Sequence, residues 1–202
     1  MISYLKNKIS NYLYSVFKNR LQEEEWERIE ALKKSFKKVG ENFTIAKDFR
    51  IPDPRNIEIG DNFRASDRFR ADVFVEINGE PTHSKLIIGD NVVFQTDVHI
   101  ACANKIEIGD GCLFASRIFI SDHSHGKTDV ESINIPPQER PIYSAGEIII
   151  EKNVWVGEGV AILPNVKIGE NAIIGANAVV TKDVPKNAVV AGIPARIIKM
   201  IS

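Results

Sequence analysis

The chain has 202 residues, with 26 Lys and Arg against 27 Asp and Glu, and its formal net charge is −1. This balance excludes the basic composition typical of nucleic-acid-binding proteins. The two cysteines, Cys102 and Cys112, lack metal-site spacing and cannot build a disulfide framework, so we expect both to be small core residues in a reducing compartment. Charged residues interrupt every long apolar run, which argues against a signal peptide or a membrane span, and we expect a cytoplasmic protein.

The first 42 residues predict a helical extension. Apolar residues recur at helical spacing from Ile2 to Leu21, and the charged stretch that follows, EEEWERIEALKKSFKK, also suits a helix. We expect this extension to pack against the end of the next domain or against a neighbouring subunit. The alternative is a membrane-surface helix, because residues 1–21 combine basic side chains with tyrosines and Phe17.

Residues 43–202 are expected to form one domain, and a repeat of six residues runs through it. Each unit begins with an aliphatic residue and carries a small or β-branched residue four places later, as in VGEGVA, ILPNVK, IGENAI and IGANAV. A period of six fits neither a helix nor an exposed strand, whereas three such units make one coil of about 18 residues with three flat faces. The repeat therefore predicts an all-β solenoid in which stacked coils bury their aliphatic residues and Gly or Asn fills the corners. The predicted coils are 59–76, 88–105, 108–125, 150–167 and 168–185, with a weaker one at 43–58.

Two segments leave the repeat. Residues 78–85 are a short insertion, in which His83 is expected to be a solvated turn residue. Residues 126–147 form a loop that begins directly after a pair of histidines, and a loop of this length is usually functional or disordered. We expect it to cover or shape a site. The final residues, ARIIKMIS, predict a short helix or cap.

The run VWVGEGVAILPNVKIGENAIIGANAVVTKDVPKNAVVAGIPARIIKMI resembles the carboxy-terminal half of hexapeptide-repeat acetyltransferases, most closely the maltose/galactoside acetyltransferase-like branch. The resemblance covers residues 57–201. It implies a left-handed parallel β-helix, a homotrimer with active sites between subunits, and acetyl-CoA as cosubstrate. The SDHSHG element and the helical extension look more like O-acetyltransferases of surface-polysaccharide assembly. That likeness implies a saccharide acceptor, free or linked to a nucleotide or a lipid.

Acyl transfer to a hydroxyl requires a general base, and histidine suits that role near neutral pH. In ISDHSH the repeat assigns inward places to Ile120 and Ser124, so His123 and His125 are both expected to face outward. His99 also falls at an outward place. An ungapped match to the resembled branch puts His125 on its catalytic histidine, and His123 is the alternative.

Asp122 and Asp129 are both close enough in sequence to orient the catalytic imidazole, although a backbone carbonyl would serve equally well. Serine and cysteine residues show no nucleophile signature in the sequence. We therefore expect direct attack of the acceptor on the thioester, without an acyl-enzyme.

The resemblance also implies a donor site. Its contacts with acetyl-CoA fall on Ala176, Thr181, Lys182 and Arg196, and the chemistry of the donor adds Lys199 and Gly157. The cationic members of this set suit the phosphates of the donor, and the glycine suits close approach of its pantetheine arm. Glu158 departs from the small residue that relatives often carry. Trp155 is open to two interpretations, as groove lining or as trimer packing.

The acceptor site is less clear from the sequence. Gln95 and Asp97 fall where sugar acetyltransferases place polar acceptor contacts, but Asp97 is equally well explained as a surface aspartate at a coil corner. One alternative function is N-acetylation of an amino sugar or of a xenobiotic such as an antibiotic. Another is a metal-dependent or scaffolding β-helix without acyltransferase activity, for which His99, His123 and His125 would supply enough metal ligands.

Overall fold

The computed structural model describes residues 2–77 and 79–201, and it does not describe the side chains of residues 2–6 and 9. Met1, Asn78 and Ser202 belong to the predicted extension, insertion and cap, and they lie outside the described residues. The chain divides into two compact units, residues 1–35 and residues 36–202.

The first unit is one continuous helix, α1 (Ile2–Ser35), which covers both stretches predicted to be helical. Three consecutive side chains, Tyr12, Leu13 and Tyr14, are exposed by 68%, 59% and 69%. Successive residues of a helix point about 100° apart, so these side chains do not form the single apolar stripe of an interfacial helix. Within the described residues, no helix is both long and apolar enough to cross a membrane.

The second unit consists mainly of short strands. In chain order they are β1 (Lys38–Val39), β2 (Thr44–Ile45), β3 (Ile57–Ile59), β4 (Arg64–Ala65), β5 (Arg70–Val73), β6 (Glu76–Ile77), β7 (Glu80–Pro81), β8 (Lys85–Ile88), β9 (Val93–Phe94), β10 (His99–Cys102), β11 (Lys105–Ile108), β12 (Leu113–Phe114), β13 (Phe119–Ser121), β14 (Ser124–His125), β15 (Ile142–Tyr143), β16 (Ile148–Ile150), β17 (Trp155–Val156), β18 (Ala161–Ile162), β19 (Val166–Ile168), β20 (Ile173–Ile174), β21 (Val179–Val180), β22 (Ala188–Ala191) and β23 (Arg196–Met200). A short helix, α2 (Val130–Ile133), and a 3-10 turn (Pro137–Glu139) lie between β14 and β15.

Most of these strands build three parallel sheets that the chain visits in turn. Sheet A has the order β1-β3-β8-β11-β16-β19, sheet B the order β2-β4-β9-β12-β17-β20-β22, and sheet C the order β5-β10-β13-β18-β21. Each strand pairs with its equivalent one circuit later, so the circuits stack as the coils of a solenoid. A bridge between Arg50 and Arg70 adds the first circuit to sheet C. That circuit therefore occupies residues 38–50, earlier in the chain than the predicted weak coil at 43–58.

The predicted inward positions are confirmed. Every first-place aliphatic residue from Ile150 to Val180 and every fifth-place residue from Val154 to Val184 is buried. Asparagine fills one row of corners in a left-handed backbone conformation, with φ near 60°, which asparagine tolerates better than most residues. These asparagines also hydrogen-bond from coil to coil: the Asn42 amide donates to Asn62 over 2.9 Å, and the Asn62 amide to Asn91 over 3.0 Å.

Both departures from the repeat contain secondary structure of their own. In the insertion, β6 pairs antiparallel with β7. In the longer one, β14 pairs antiparallel with β15, so the ends of the 126–147 loop are joined as a hairpin next to sheet C.

Of the two alternatives expected for the last residues, a short helix or a cap, the helix is wrong. Residues Arg196–Met200 form β23, an edge strand that pairs antiparallel with β22 on sheet B. The last parallel strand leaves its outer backbone groups unpaired, and the β-branched pair Ile197 and Ile198 favours an extended chain that satisfies them.

Candidate active site

The outward face of sheet C brings polar side chains from three coils together. In β5, Ala71 and Val73 are buried, so Arg70 and Asp72 point outward. The parallel register sets Arg70 beside His99, and His99 beside Phe119 one coil further on. The adjacent outward row consists of Asp72, Ala101 and Ser121.

Asp72 is the centre of a cluster on this face that includes Arg50, Arg70 and His99; we call it the strand-face cluster. The His99 Nε2 atom lies 3.0 Å from Oδ2 of Asp72, and Nε of Arg70 donates to the same oxygen. Nε of Arg50 lies 3.9 Å from the other carboxylate oxygen. The Asp72 side chain is only 14% exposed, so these partners largely replace its contact with water.

The pKa of His99 is lowered from the ordinary value of histidine. Burial is the largest cause, because it disfavours the charged imidazolium, and the positive charge of Arg70 acts in the same direction. The hydrogen bond with Asp72 opposes both effects. A positive charge on His123 also lowers the pKa of His99.

Asp122 directly follows β13, at the next inward position, and is fully buried. The backbone N–H groups of Ala103 and Asn104, one coil earlier, donate to its two oxygens over 2.7 and 2.9 Å. The expectation that Ser124 points inward is wrong, since that residue is exposed. The repeat ends two residues sooner than predicted because the Asp122 carboxylate is buried at this corner and accepts hydrogen bonds from two backbone donors of the preceding coil.

His123 is more sheltered than an outward corner residue would be, because its side chain is only 9% exposed. Its Nδ1 atom lies 3.3 Å from Oδ1 of Asp122 and 3.4 Å from the Ser121 hydroxyl oxygen. The ring also packs edge-on against Phe74, with centroids 4.9 Å apart. These contacts fix the orientation of the ring and use Nδ1, so that Nε2 is the atom left for an incoming group.

His125 has a different environment, although it is only two residues away. It lies in β14, is exposed, and pairs through its backbone with Ile142. The two histidines therefore do not share one outward corner. His125 lies on the surface of the hairpin, and His123 lies against the solenoid.

The predicted donor residues fall at the carboxy-terminal end of the solenoid. Lys182 and Arg196 line one open cavity of about 450 Å³, together with Ala195. Thr181 and Ala176 are both exposed nearby in sequence. Lys199 lies on β23 and is not among the residues lining this cavity.

Gly157 has a packing role in the structure. A Cβ atom added there would lie 2.8 Å from the backbone nitrogen of Ala176 in the next coil and 2.8 Å from the carbonyl oxygen of Ile174. Contacts this short are not tolerated, so the two coils approach as closely as they do only because residue 157 is glycine.

The two predicted acceptor residues lie near the corner between sheets B and C. Gln95 is exposed, directly after β9. Asp97 has a left-handed backbone with a φ of 62°, and its carboxylate accepts a 2.7 Å hydrogen bond from Arg68. Its carboxylate therefore already has a cationic partner.

Asp72 and Phe74 carry no signal in the sequence that marks them as site residues. Aligning RADV of one coil with HIAC of the next would have placed Asp72 one residue from the row of His99. That alignment requires the strand register, and the insertion at 78–85 hides it. Among the residues that the structure describes, no three His, Cys, Asp or Glu residues are arranged to hold a metal ion.

Comparison with known proteins gives consistent similarities. The family model for bacterial transferase hexapeptide (six repeats) matches residues 147–182. Escherichia coli (strain K12) WbbJ, whose name assigns it to O-acetyl transfer in lipopolysaccharide biosynthesis, is 38% identical over 148 residues, which are 71% of each protein.

Two solved structures are also similar. A mutant of AntD, an N-acyltransferase from Bacillus cereus, in complex with dTDP-4-amino-4,6-dideoxyglucose and coenzyme A, superposes with a TM-score of 0.67 at 27% identity, covering 86% of this chain and 88% of that one. A galactoside acetyltransferase in complex with coenzyme A superposes with a TM-score of 0.55 at 30% identity, covering 87% of this chain and 70% of that one.

Proposed function

Because this chain belongs to the hexapeptide-repeat acetyltransferase family, we propose that it is an acetyl-CoA-dependent O-acetyltransferase acting on a saccharide or a sugar-containing acceptor. One observation carries the proposal: an imidazole held by a buried carboxylate, His123 on Asp122, lies beside sheet C. Further along the same stack, Lys182 and Arg196 line a cavity suited to the donor.

The proposed reaction is direct transfer. Nε2 of the catalytic histidine takes the proton of the acceptor hydroxyl, and the oxygen attacks the thioester carbonyl carbon. The new C–O bond forms, the C–S bond breaks, and the imidazolium returns the proton to the departing CoA thiolate. The acceptor leaves as its acetyl ester.

The geometry favours His123 over His125 as the base. The Asp122 carboxylate lies against Nδ1 of His123, which favours the tautomer with the free electron pair on Nε2 and stabilises the imidazolium once it forms. His125 has an exposed ring. It remains the alternative, because it matches the catalytic histidine of the resembled branch.

The donor is proposed to bind along the last two coils. Lys182 and Arg196 supply positive charge and hydrogen-bond donors for the phosphates of acetyl-CoA, and a guanidinium can bind a phosphate through two parallel hydrogen bonds. Thr181 and Ala176 are exposed in the same region. Lys199 is the weakest member of the predicted set because it lies outside the cavity lining.

The thiols are unsuited to an acyl-enzyme route. Burial raises the pKa of the Cys102 thiol, and it raises the pKa of Cys112 to about 11. Both groups are therefore protonated near neutral pH and closed off from substrate, which agrees with direct transfer.

We further propose that the coils are left-handed, as the family implies, and that three chains assemble through sheets B and C. Outward positions on these two sheets carry exposed apolar side chains: Leu113 and Trp155 on sheet B and Phe119 on sheet C, exposed by 40%, 51% and 40%. The outward face of sheet A instead carries ion pairs, such as Glu58 with Lys85. Apolar faces favour burial in an interface, whereas charged faces favour solvent.

N-acetylation is the second candidate, because AntD is named as an N-acyltransferase and its structure is a complex with dTDP-4-amino-4,6-dideoxyglucose. The same base would then deprotonate an amine during its attack on the thioester. The two functions differ only in the acceptor atom, so one set of substrates separates them.

The test is an acetyl-transfer assay with labelled acetyl-CoA and a panel of sugars, sugar phosphates, nucleotide-linked sugars and amino sugars. Transfer to a hydroxyl is the expected result, whereas transfer to amines alone would favour the second candidate.

Lys182→Ala and Arg196→Ala should raise the KM for acetyl-CoA by about 10-fold or more, since a hydrogen bond to a charged group contributes about 1.5–3 kcal/mol. Lys186→Ala, exposed but outside the cavity lining, is the matched control. An unchanged KM in both variants would show that the donor binds elsewhere.

A further inference from the structure

The strand-face cluster differs from the other arginine pairs of the solenoid in its charge balance. Arg68 pairs with Asp97, Arg117 with Glu158, and Arg55 with Asp53, one acid for each arginine. In the strand-face cluster, two arginines share the single carboxylate of Asp72. With His99 neutral, the cluster therefore carries one net positive charge.

The cluster also leaves strong hydrogen-bond donors unused. Both arginines approach Asp72 most closely through Nε, and each guanidinium carries further donors on its Nη atoms. The side chains of Arg50 and Arg70 are 65% and 43% exposed, and Asp72 itself is only 14% exposed. Arg70 is oriented by its hydrogen bond to Asp72, and a guanidinium oriented in this way can bind a phosphate bidentately.

The position of the cluster relates it to the proposed reaction. Along sheet C the outward row runs from Arg50 through Arg70, His99, Phe119 and Ala161 to Val179, one residue per coil. Thr181 and Lys182, which are assigned to the donor, follow Val179 at one end of this row. The two arginines lie at the opposite end, and His123 follows β13 between them.

Neighbouring strands are about 4.8 Å apart, so the coil of Arg70 lies roughly 10 Å from the coil of His123 along the stack. An acceptor whose reacting hydroxyl lies at His123 therefore extends along sheet C toward the arginines. The donor occupies the opposite side of His123, toward Thr181 and Lys182.

We propose that Arg50 and Arg70, oriented by Asp72, form an acceptor subsite that binds a phosphate group, and that the acceptor is accordingly a phosphorylated or diphosphate-linked sugar. This proposal rests on the proposed acetyltransferase function. His99 lies between the subsite and the base, at hydrogen-bond distance from Asp72, and serves as a reporter of occupancy.

The activity test compares one hexose in four forms: free, as its 1-phosphate, linked to a nucleoside diphosphate, and linked to a short polyprenyl diphosphate. We expect kcat/KM for at least one phosphorylated form to exceed that for the free sugar by about 10-fold or more, and the best form identifies the source of the phosphate. Arg50→Gln and Arg70→Gln should each reduce this preference by about 10-fold. Arg64→Gln, an exposed arginine at the equivalent outward position of sheet B, should leave the preference unchanged. A preference that is absent from the wild type, or that survives both substitutions, overturns the proposal.

A binding experiment does not depend on turnover. Inorganic pyrophosphate is titrated into the full-length protein without donor or acceptor, and the imidazole signals of the histidines are followed by NMR. We expect the His99 signals to shift at saturation, and the shift to be lost in Arg70→Gln but retained in Arg64→Gln. A shift of the His99 NMR signals without acetyl transfer to any acceptor would overturn the proposed function and support the subsite. Transfer to phosphorylated sugars without any effect of the arginine substitutions would overturn the subsite and keep the function.

Discussion

Asp122 shows how one residue can override a repeat. The six-residue period assigns the inward place to Ser124, but strand alternation from the buried Ile120 leads to Asp122 first. A carboxylate is costly to bury, and here two backbone N–H donors offset that cost. The sequence could predict the pair of histidines at this corner. It could not predict that the Asp122 carboxylate contacts His123, because the position of that carboxylate depends on hydrogen bonds to the preceding coil.

The first prediction concerns these histidines. His123→Ala should lower kcat by about 10²–10⁴-fold, the contribution typical of a general base, while acetyl-CoA binding is retained. His125→Ala should cost clearly less, because its ring is exposed on β14. Steady-state kinetics of both variants, with donor binding measured separately, provides the comparison.

Thermal unfolding of both variants is the control, because His123 packs against Phe74 and its removal also opens space. A folded His123→Ala protein with nearly wild-type kcat, beside a slow His125→Ala protein, would assign the base to His125. If neither substitution slowed turnover, the proposed mechanism would have to be abandoned.

The second prediction concerns the titration of His99. Because burial and Arg70 lower its pKa, we expect an NMR titration midpoint below the ordinary value of about 6.5. Asp72→Asn removes the interaction that favours the charged ring, so the midpoint should fall further. Asp97→Asn, which alters a carboxylate at the sheet B–C corner, should leave it unchanged. A higher titration midpoint of His99 in Asp72→Asn would show that Asp72 does not favour the charged ring.

The same shift fixes the sign of the pH dependence of stability. The folded state favours neutral His99, so this contribution is present above the ordinary pKa of histidine. It is lost as the pH falls through the lower pKa of the folded protein. His99→Gln should therefore flatten the stability profile in the weakly acidic range, as measured by denaturant unfolding.

At the scale of elements, the six-residue period predicts the strands of sheets A, B and C, because each inward position needs a small or aliphatic side chain. The period fails where backbone pairing decides the structure. The hairpin of β14 with β15 and the edge strand β23 both form because a neighbouring strand offers unpaired N–H and C=O groups. Such pairing partners are not visible in the local sequence, so a short helix or a cap is all that the last residues predict.

The third prediction tests the close approach of two coils at Gly157. In Gly157→Ala the new methyl group would overlap the backbone of Ala176, and we expect a loss of about 1–3 kcal/mol in the free energy of unfolding. Ser66→Ala, at the same register position three coils earlier, should change it by less than about 0.5 kcal/mol. Denaturant unfolding measures both, and equal stability of the two variants would mean that the coils separate at little cost.

At the scale of the whole molecule, the three faces of the solenoid carry different kinds of side chains. Sheet C carries the candidate base and the strand-face cluster, sheet A carries ion pairs, and sheet B carries an apolar row. The register places Leu113, Trp155 and Ile173 in consecutive coils of that row. Trp155 is half exposed in the single chain, so its apolar surface is available for an interface.

The last prediction follows from this division. The wild-type protein should have three times the 22.6 kDa mass of one chain in light scattering, because assembly would bury exposed apolar side chains such as Trp155 on sheet B and Phe119 on sheet C. Trp155→Glu introduces a charge into that surface and should shift the protein toward smaller species. Acetyl transfer should fall in parallel if the site lies between subunits. Ile149→Glu, an outward position in the same coil on sheet A, should leave both the mass and the activity unchanged. A monomeric wild-type protein with full activity would contradict the trimer, and it would require the complete site to lie within one chain, between Arg70 and Lys182 on sheet C.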